Sequence, residues 1–108
     1  MYRKEADGRE KGTEMTITKT EQYGTTTYTV GKSLLTVSEN GAIEDLYVAP
    51  EDRRKGIATE LVNAAVKDGA DAALVDPTEE ALGFWEAYTG KYIGEAKGAH
   101  SEPYAISI

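Results

Sequence analysis

Apolar and polar positions alternate along the first half of the chain. The alternation predicts an edge strand over residues 14–20 and strands over 25–30, 33–37 and 42–48. The turn residues Gly24, Asn40 and Gly41 and the pair Gly31-Lys32 separate these segments. Four short strands with tight turns between them predict an antiparallel meander.

The spacing of apolar residues then becomes helical. Between Gly56 and about Asp68, the residues on one helical stripe are Ile57, Leu61, Val62, Ala65 and Val66. Gly69 is a typical helix stop. This segment therefore predicts a helix whose apolar side faces a sheet.

The last forty residues predict one more strand, one more helix and two final strands. Residues 72–75 form a short apolar run, and Asp76-Pro77-Thr78-Glu79 has the order of a helix start, with Asp76 as the N-cap, Pro77 next and Glu79 reaching back. This helix is expected to end near Tyr88, and residues 91–95 and 104–108 are expected to be strands.

Together these elements predict an α/β (α+β) fold. A strand-helix-strand step implies a right-handed crossover and a parallel pair. The expected architecture is a mixed, mostly antiparallel sheet of about six to seven strands flanked by two main helices. Residues 13–108 are expected to form a single domain, preceded by a flexible leader over 1–12.

Composition narrows the classes of function. The 108 residues carry a formal net charge of −7, which disfavours general nucleic-acid binding. Cysteine is absent and His100 is the only histidine, so neither a thiolate site nor a metal cofactor is expected. The polar leader lacks an apolar signal core and no apolar run reaches membrane-spanning length, so we expect a cytoplasmic protein without membrane contact.

One segment combines several features of an anion site. The strand that ends near Val48 is followed by Arg53, Arg54 and Lys55, then by Gly56 at the start of a helix. A helix N-terminus leaves backbone N–H groups without partners and carries partial positive charge, which favours a phosphate or pyrophosphate. The alternative is that the three cations form a solvated turn before an ordinary helix.

At these residues the sequence resembles the GNAT acyltransferase superfamily. The family motif is Arg or Gln, two residues, Gly, one residue, then Gly or Ala, and here the match runs from Arg53 to Ala58 after the strand Leu46-Tyr47-Val48 and Pro50. The resemblance covers roughly residues 25–108. It implies an N-acetyltransferase that uses acetyl-coenzyme A as co-substrate and a primary amine as acceptor.

The resemblance also implies where the coenzyme binds. Backbone N–H groups of Arg54 to Ala58 would hold the pyrophosphate, with Gly56 allowing a close approach. Backbone groups of Leu46 and Val48 would pair with pantetheine, with the thioester near Leu46. The full set of expected coenzyme contacts is Leu46, Tyr47, Val48, Arg53, Arg54, Lys55, Gly56, Ile57, Ala58, Thr59 and Trp85.

Three residues are candidates for acid–base chemistry. Glu44 or Asp45, just ahead of the expected thioester position, would assist deprotonation of the amine. Alternation puts them on opposite faces, with Glu44 on the face of Leu46, unless a bulge reverses the choice. Tyr88 is a candidate for protonating the thiolate. The alternatives are solvent-facing strand carboxylates and a core tyrosine.

The chain departs from the family pattern in three places. Phe84-Trp85 puts Trp85 where many members have a tyrosine that faces the coenzyme sulfur, and an indole is no useful acid. Thr78 stands where many have an asparagine. The usual two helices after the first strand have no room between Glu21 and Gly24, so the acceptor side is expected to be open or completed by a second subunit.

Alternatives to the enzyme remain. One is a coenzyme-binding or protein-interaction module that keeps the fold without turnover, and another is a nucleic-acid-binding domain that uses the basic cluster. His100 is a further candidate base, or simply a surface-loop histidine. An open site suits a large acceptor such as a protein or peptide amine, and net acidity favours a cationic one.

Overall fold

The computed structural model describes residues 16–53, 55–97 and 102–108. In chain order, the described elements are β1 (Thr18–Gln22), β2 (Thr25–Val30), β3 (Ser33–Val37), β4 (Ala42–Tyr47), a 3-10 turn (Pro50–Asp52), α1 (Ile57–Lys67), β5 (Ala72–Val75), α2 (Glu79–Thr89) and β6 (Tyr104–Ser107). The six described strands lie in one sheet in the order β1-β2-β3-β4-β5-β6. The α+β class and the mixed, mostly antiparallel sheet are confirmed.

The first four strands form the predicted antiparallel meander. Two of its hairpins have two-residue loops. In the first, Tyr23 and Gly24 both have positive φ, 53° and 81°, which matches the right-handed twist of the strands. This loop pairs Gln22 with Thr25, and β1 accordingly extends to Gln22 rather than to Thr20 as predicted.

A parallel pair connects the meander to the rest of the sheet. β4 pairs with β5 in parallel, as expected for a strand-helix-strand step, and β6 runs antiparallel to β5. The pairing of β4 with β5 includes only Ala42 with Ala72 and Ile43 with Ala73. Beyond Ile43, the edge of β4 that faces β5 is paired to no described strand.

The two faces of the sheet differ. On one face, here called the helix face, Tyr28, Leu35, Val37, Ile43 and Ala73 are buried in one cluster with residues of α1 and α2. α2 lies beside α1, since the Tyr88 hydroxyl donates to Asn63 Oδ1 at 2.7 Å. The opposite face, here called the open face, has no buried residue on β2 to β5 within the described chain.

The C-terminal end of α1 is anchored to the meander. Tyr28 Oη donates to Asp68 Oδ2 at 2.8 Å, and Lys19 Nζ lies 3.1 Å from the same oxygen. Burial, together with the bond to Asp68, raises the pKa of Tyr28 to about 12. The hydrogen bonds from Tyr28 and then Lys19 lower the pKa of Asp68, and the bond to Asp68 raises the pKa of Lys19.

The predicted strand over residues 91–95 is wrong. This segment is irregular because side chains and turns of α2 take its backbone groups: Lys91 N–H donates to Thr89 Oγ1 at 3.3 Å and Ile93 N–H donates to Glu86 Oε2 at 3.0 Å. Strand alternation in the sequence did not reveal this competition. β6 therefore pairs with β5 alone among the described strands.

The predicted start of α2 is also wrong in detail. Thr78, not Asp76, is the N-cap, and its Oγ1 accepts a hydrogen bond from Ala81 N–H at 3.2 Å. Pro77 is buried before the helix instead of forming its first residue. The predicted stop Gly69 follows the C-cap of α1, and Gly90 is the C-cap of α2, just beyond the predicted end near Tyr88. The predicted leader, over residues 1–12, lies outside the described residues.

Candidate functional site

A cleft opens where β4 and β5 separate. Because their pairing ends at Ile43 and Ala73, the strands enclose a wedge that is closed by the segment after β4 and by α2. The cleft has a volume of about 760 Å³. It is lined by Glu44, Asp45, Leu46, Tyr47, Val48, Asp52, Arg53, Gly56, Ile57, Ala58, Thr59, Leu74, Asp76, Thr78, Glu80, Ala81, Phe84, Trp85 and Pro103.

The start of α1 lies at one end of this cleft. Gly56 is its N-cap, with φ of +75° and no side-chain cap. The first helical bond, from Glu60 N–H to Gly56 O at 3.0 Å, leaves the amides of Ile57, Ala58 and Thr59 without an acceptor in the described chain. Since these three residues also line the cleft, this end of the helix can accept an anion.

A buried hydroxyl fixes the segment that leads to α1. Ser33 is fully buried at the start of β3. Its Oγ accepts from Ala49 N–H at 2.9 Å and donates to Asp52 Oδ2 at 3.0 Å. Asp52 N–H in turn donates to Ala49 O at 2.8 Å. This network holds the Pro50–Asp52 turn against the meander and fixes the direction in which the chain enters α1.

The cations of the motif contribute less than their number suggests. Arg53 Nε donates to Val48 O at 3.2 Å, and its Nη1 lies 3.6 Å from Glu80 Oε2. Lys55 is exposed and does not line the cleft. Arg54 lies outside the described residues. The anion-binding capacity of the described site therefore rests mainly on backbone amides.

A β-bulge decides where the two candidate base residues point. Thr36 pairs with Asp45 and Val37 pairs with Ile43, so Glu44 is the extra residue. Counting from Ile43, Glu44 points away from the helix face, and counting back from the core-packed Leu46, Asp45 does too. The expectation that alternation separates them, with Glu44 on the face of Leu46, is wrong. Both line the cleft.

The aromatic residues of α2 form a group of contacting rings beside the cleft. Trp85 is buried and lies 5.0 Å from Phe84 and 5.9 Å from Tyr88 between ring centroids. Trp85 and Phe84 line the cleft, whereas Tyr88 does not. Because the Tyr88 hydroxyl donates to Asn63 on α1, its geometry does not support the acid role, which stays a prediction.

Several lining residues were not among the sequence candidates. They are Asp52, Leu74, Asp76, Thr78 as a cap, Glu80, Ala81, Phe84 and Pro103. Ser33 was missed as well, and no motif marks it, because a serine at the start of a strand is ordinary. Its role is visible only in the hydrogen bonds that Ser33 makes with Ala49 and Asp52, in the segment after β4.

Charge around the cleft is asymmetric. Of the described lining residues, Glu44, Asp45, Asp52, Asp76 and Glu80 are acidic, and Arg53 is the one cation. Near α1, Asp52 accepts a hydrogen bond from Ser33, and Glu80 forms an ion pair with Arg53. Glu44 and Asp45 lie on the open face, where a cationic group would be attracted.

Neither a metal site nor a membrane span is found in the described part of the chain. Its aspartate and glutamate residues form no group of three suited to a metal ion. Neither described helix is long and apolar enough to cross a bilayer. His100, the candidate base in the last loop, lies outside the described residues.

Comparison with known families identifies the fold. The family model described as Acetyltransferase (GNAT) family matches residues 18–94, well over half of the chain. The chain belongs to the GNAT acetyltransferase family. No curated protein and no solved structure gives a significant match.

The match to the GNAT family runs from β1 through α2 and therefore includes most of the cleft walls. β1 is joined to β2 by Tyr23 and Gly24 alone, so no helix lies between these two described strands. Because α1 and α2 both pack in the core on the helix face, no described helix covers the open face.

Proposed function

We propose that this GNAT protein transfers an acetyl group from acetyl-coenzyme A to a primary amine. The observation that carries the proposal is the row of free amides at Ile57, Ala58 and Thr59, next to the left-handed Gly56, at one end of a cleft between separated strands. A pyrophosphate accepts hydrogen bonds from such amides and is stabilised by the helix dipole.

The strand edges supply the rest of the coenzyme site in this proposal. Beyond Ile43, the free edge of β4 offers backbone groups of Leu46 to the amides of pantetheine. Val48, just after the strand, offers its N–H, since its carbonyl oxygen already accepts from Arg53. Ile57 and Trp85 provide apolar walls along the same cleft. The acetyl group then lies near Leu46, beside Glu44 and Asp45.

The reaction requires the acceptor to lose protons. A primary ammonium first gives one proton to Glu44 or Asp45. The neutral nitrogen attacks the thioester carbonyl, a C–N bond forms, and collapse of the tetrahedral intermediate breaks the C–S bond. The nitrogen loses its second proton to solvent, and the coenzyme thiolate takes one from solvent. A thiolate is a good leaving group, so Tyr88 is not required in this scheme.

Acidic residues near the phosphate end oppose coenzyme binding, and their partners reduce this effect. Asp52 accepts from Ser33, and Glu80 pairs with Arg53. An incoming pyrophosphate would compete with Glu80 for Arg53.

Calorimetry tests the coenzyme site. Acetyl-coenzyme A is titrated into the wild-type protein and into Gly56→Glu, which places a carboxylate beside the free amides. We expect binding to the wild type and a loss of about tenfold or more in the variant. Equal affinities would contradict the proposal. Thiol release against a panel of amines then measures turnover.

The second candidate is a coenzyme-binding module without turnover. It is favoured by Trp85 in place of a tyrosine and by the engagement of the Tyr88 hydroxyl with Asn63. Tight coenzyme binding with no thiol release on any amine or peptide would select it. A second subunit that completes the acceptor side stays a prediction, which sedimentation at several concentrations would check.

A further inference from the structure

The open face carries an apolar patch beside the cleft. Leu34 of β3 pairs directly with Tyr47 of β4, and both belong to the open face. Leu74 of β5 points to the same side, since its neighbours Ala73 and Val75 are buried on the helix face. Tyr47 and Leu74 are 49% and 39% exposed and line the cleft. These three side chains are here called the apolar patch.

Two carboxylates adjoin this patch. The bulge at Glu44 turns both Glu44 and Asp45 onto the open face. Asp45 lies two residues before Tyr47 on the same strand, and its Oδ2 accepts from Thr36 Oγ1 at 3.1 Å. Thr36 leaves the other oxygen of Asp45 free for a ligand. The surface therefore presents negative charge next to exposed aromatic and aliphatic groups.

We propose that the acceptor is a cationic amine with an apolar, preferably aromatic, body and no carboxylate next to the amino group. This proposal rests on the proposed acetyl transfer and names its acceptor class. Glu44 and Asp45 attract the ammonium, and the patch of Leu34, Tyr47 and Leu74 takes the apolar body. A carboxylate beside the amine would be repelled by the same pair.

The charge pattern selects this class over its neighbours. A small hydrophilic amine would leave the apolar patch in water and gain nothing from it. A polyamine would use the carboxylates alone. An α-amino acid would bring its own negative charge within a few ångströms of Glu44 and Asp45, where repulsion is strongest. The combination of charge and apolar surface suits a monoamine.

Two matched pairs of compounds test the proposal on the wild-type protein. Phenethylamine and ethylamine differ by the ring, and L-phenylalaninamide and L-phenylalanine differ by the carboxylate. Thiol release at saturating acetyl-coenzyme A gives kcat/KM for each. We expect phenethylamine to exceed ethylamine, and the amide to exceed the acid, by about tenfold or more. Equal values in either pair, or a preference for spermidine over phenethylamine, would overturn the proposal.

A matched pair of variants locates the site. Leu74→Ser removes part of the apolar patch, and Val66→Ser removes an equally exposed apolar side chain, 38% against 39%, on α1. We expect Leu74→Ser to raise KM for phenethylamine several-fold while leaving that for ethylamine unchanged, and Val66→Ser to change neither. Equal effects of the two variants would count against the patch.

Ligand-observed NMR separates this proposal from the proposed function. Binding of phenethylamine and ethylamine is measured on the protein without coenzyme. Stronger binding of phenethylamine, lost in Leu74→Ser, supports the acceptor class even if no amine releases thiol, in which case acetyl transfer itself fails. Turnover with no difference between the two amines, in rate or in binding, overturns the acceptor class and leaves acetyl transfer standing.

Discussion

The two ends of α1 differ in whether the backbone groups near them are hydrogen-bonded. Every helix end leaves backbone groups without intrahelical partners. At the C-terminal end, Asp68 N–H donates to Ala64 O and Ala65 O, Gly69 N–H to Val66 O and Ala70 N–H to Ala65 O. At the N-terminal end, Gly56 provides no side chain and the next three amides stay free.

The side-chain networks around the two ends of α1 differ in the same way as the backbone hydrogen bonds do. The Tyr28–Asp68–Lys19 network ties the C-terminal end to β1 and β2. At the N-terminal end, the Ser33–Asp52 network fixes the preceding turn but none of the free amides. One end of α1 is therefore anchored, and the other is held in place with its first amides unbonded, as the proposed coenzyme site requires.

The largest expected effect is a loss of coenzyme affinity when the glycine at the N-terminal end of α1, and not the one at its C-terminal end, is replaced. Gly56 and Gly69 both have positive φ, +75° and +114°, and no atom lies within 4 Å of an added Cβ at either position. Gly56→Glu and Gly69→Glu should each lose about 1–2 kcal/mol of stability from the left-handed backbone. Only Gly56→Glu should lose coenzyme affinity, by about tenfold or more.

Calorimetry and thermal unfolding on both glycine variants check this prediction. The two stability losses serve as each other's control, because backbone strain is common to both. A parallel loss of affinity at Gly69 would mean that general destabilisation, and not the free amides, controls binding.

The next effect concerns the buried hydroxyl of Ser33, which holds the turn that leads into the N-terminal end of α1. Ser33→Ala leaves Ala49 N–H buried without a partner and releases the Asp52 carboxylate toward the cleft, at a cost of about 1–3 kcal/mol. We expect weaker binding of coenzyme A with little change for pantetheine, which lacks the pyrophosphate. Ser38→Ala, in the turn at the other end of β3, is the control for losing a hydroxyl. Equal losses for both ligands would reduce Ser33 to a purely structural role.

A smaller effect tests the anchored end through pH. The lowered pKa of Asp68 means that its stabilisation is present above the ordinary carboxyl pKa, near 4, and is lost as pH falls through the lower folded value. Asp68→Asn should therefore be less stable than the wild type at pH 7, and the difference should shrink in acid. Urea unfolding from pH 7 to pH 2 measures it. A difference that stays constant over this range would exclude the charge of Asp68 as its cause.

The raised pKa values of Tyr28 and Lys19 predict a loss of stability at high pH, in contrast to the loss in acid predicted for Asp68. Their contribution is complete below the ordinary values, near 10, and disappears as pH rises through the folded ones. Coenzyme affinity should not follow this loss until the protein unfolds, because the network lies at the far end of α1 from the cleft. Calorimetry with coenzyme A at pH 7 and pH 11, on either side of the ordinary values, checks that separation.

The smallest expected effect concerns the hydrogen bond from Tyr88 of α2 to Asn63 on the side of α1. Tyr88→Phe removes the hydrogen bond to Asn63, which is exposed to solvent, and should cost at most about 1 kcal/mol of stability. Turnover should stay within about twofold, since the hydroxyl does not line the cleft. A large fall in kcat with unchanged coenzyme affinity would instead restore the acid role predicted for Tyr88. Asn63→Ala, which breaks the same bond from the other side, is the matched control.

The sequence by itself determined the order of elements as far as α2, the parallel step after β4 and the loop before α1. These follow from local causes: alternation, helical spacing, and glycines at positive φ in turns and helix ends. The motif from Arg53 to Ala58 also predicted the end of α1 where the coenzyme site is proposed. Local chemistry was sufficient for this prediction because the first amides of a helix have no intrahelical acceptors in any fold.

Only the tertiary structure decided the placement of Glu44 and Asp45, the role of Ser33 and the loss of the strand at 91–95. The first two depend on other elements: the β3 register for the bulge and the turn after β4 for Ser33. The third depends on side chains at the end of α2, where Thr89 and Glu86 accept from Lys91 and Ile93. Hydrogen bonds between distant segments leave no periodic trace in the chain, so pattern alone cannot choose among the competing donors and acceptors.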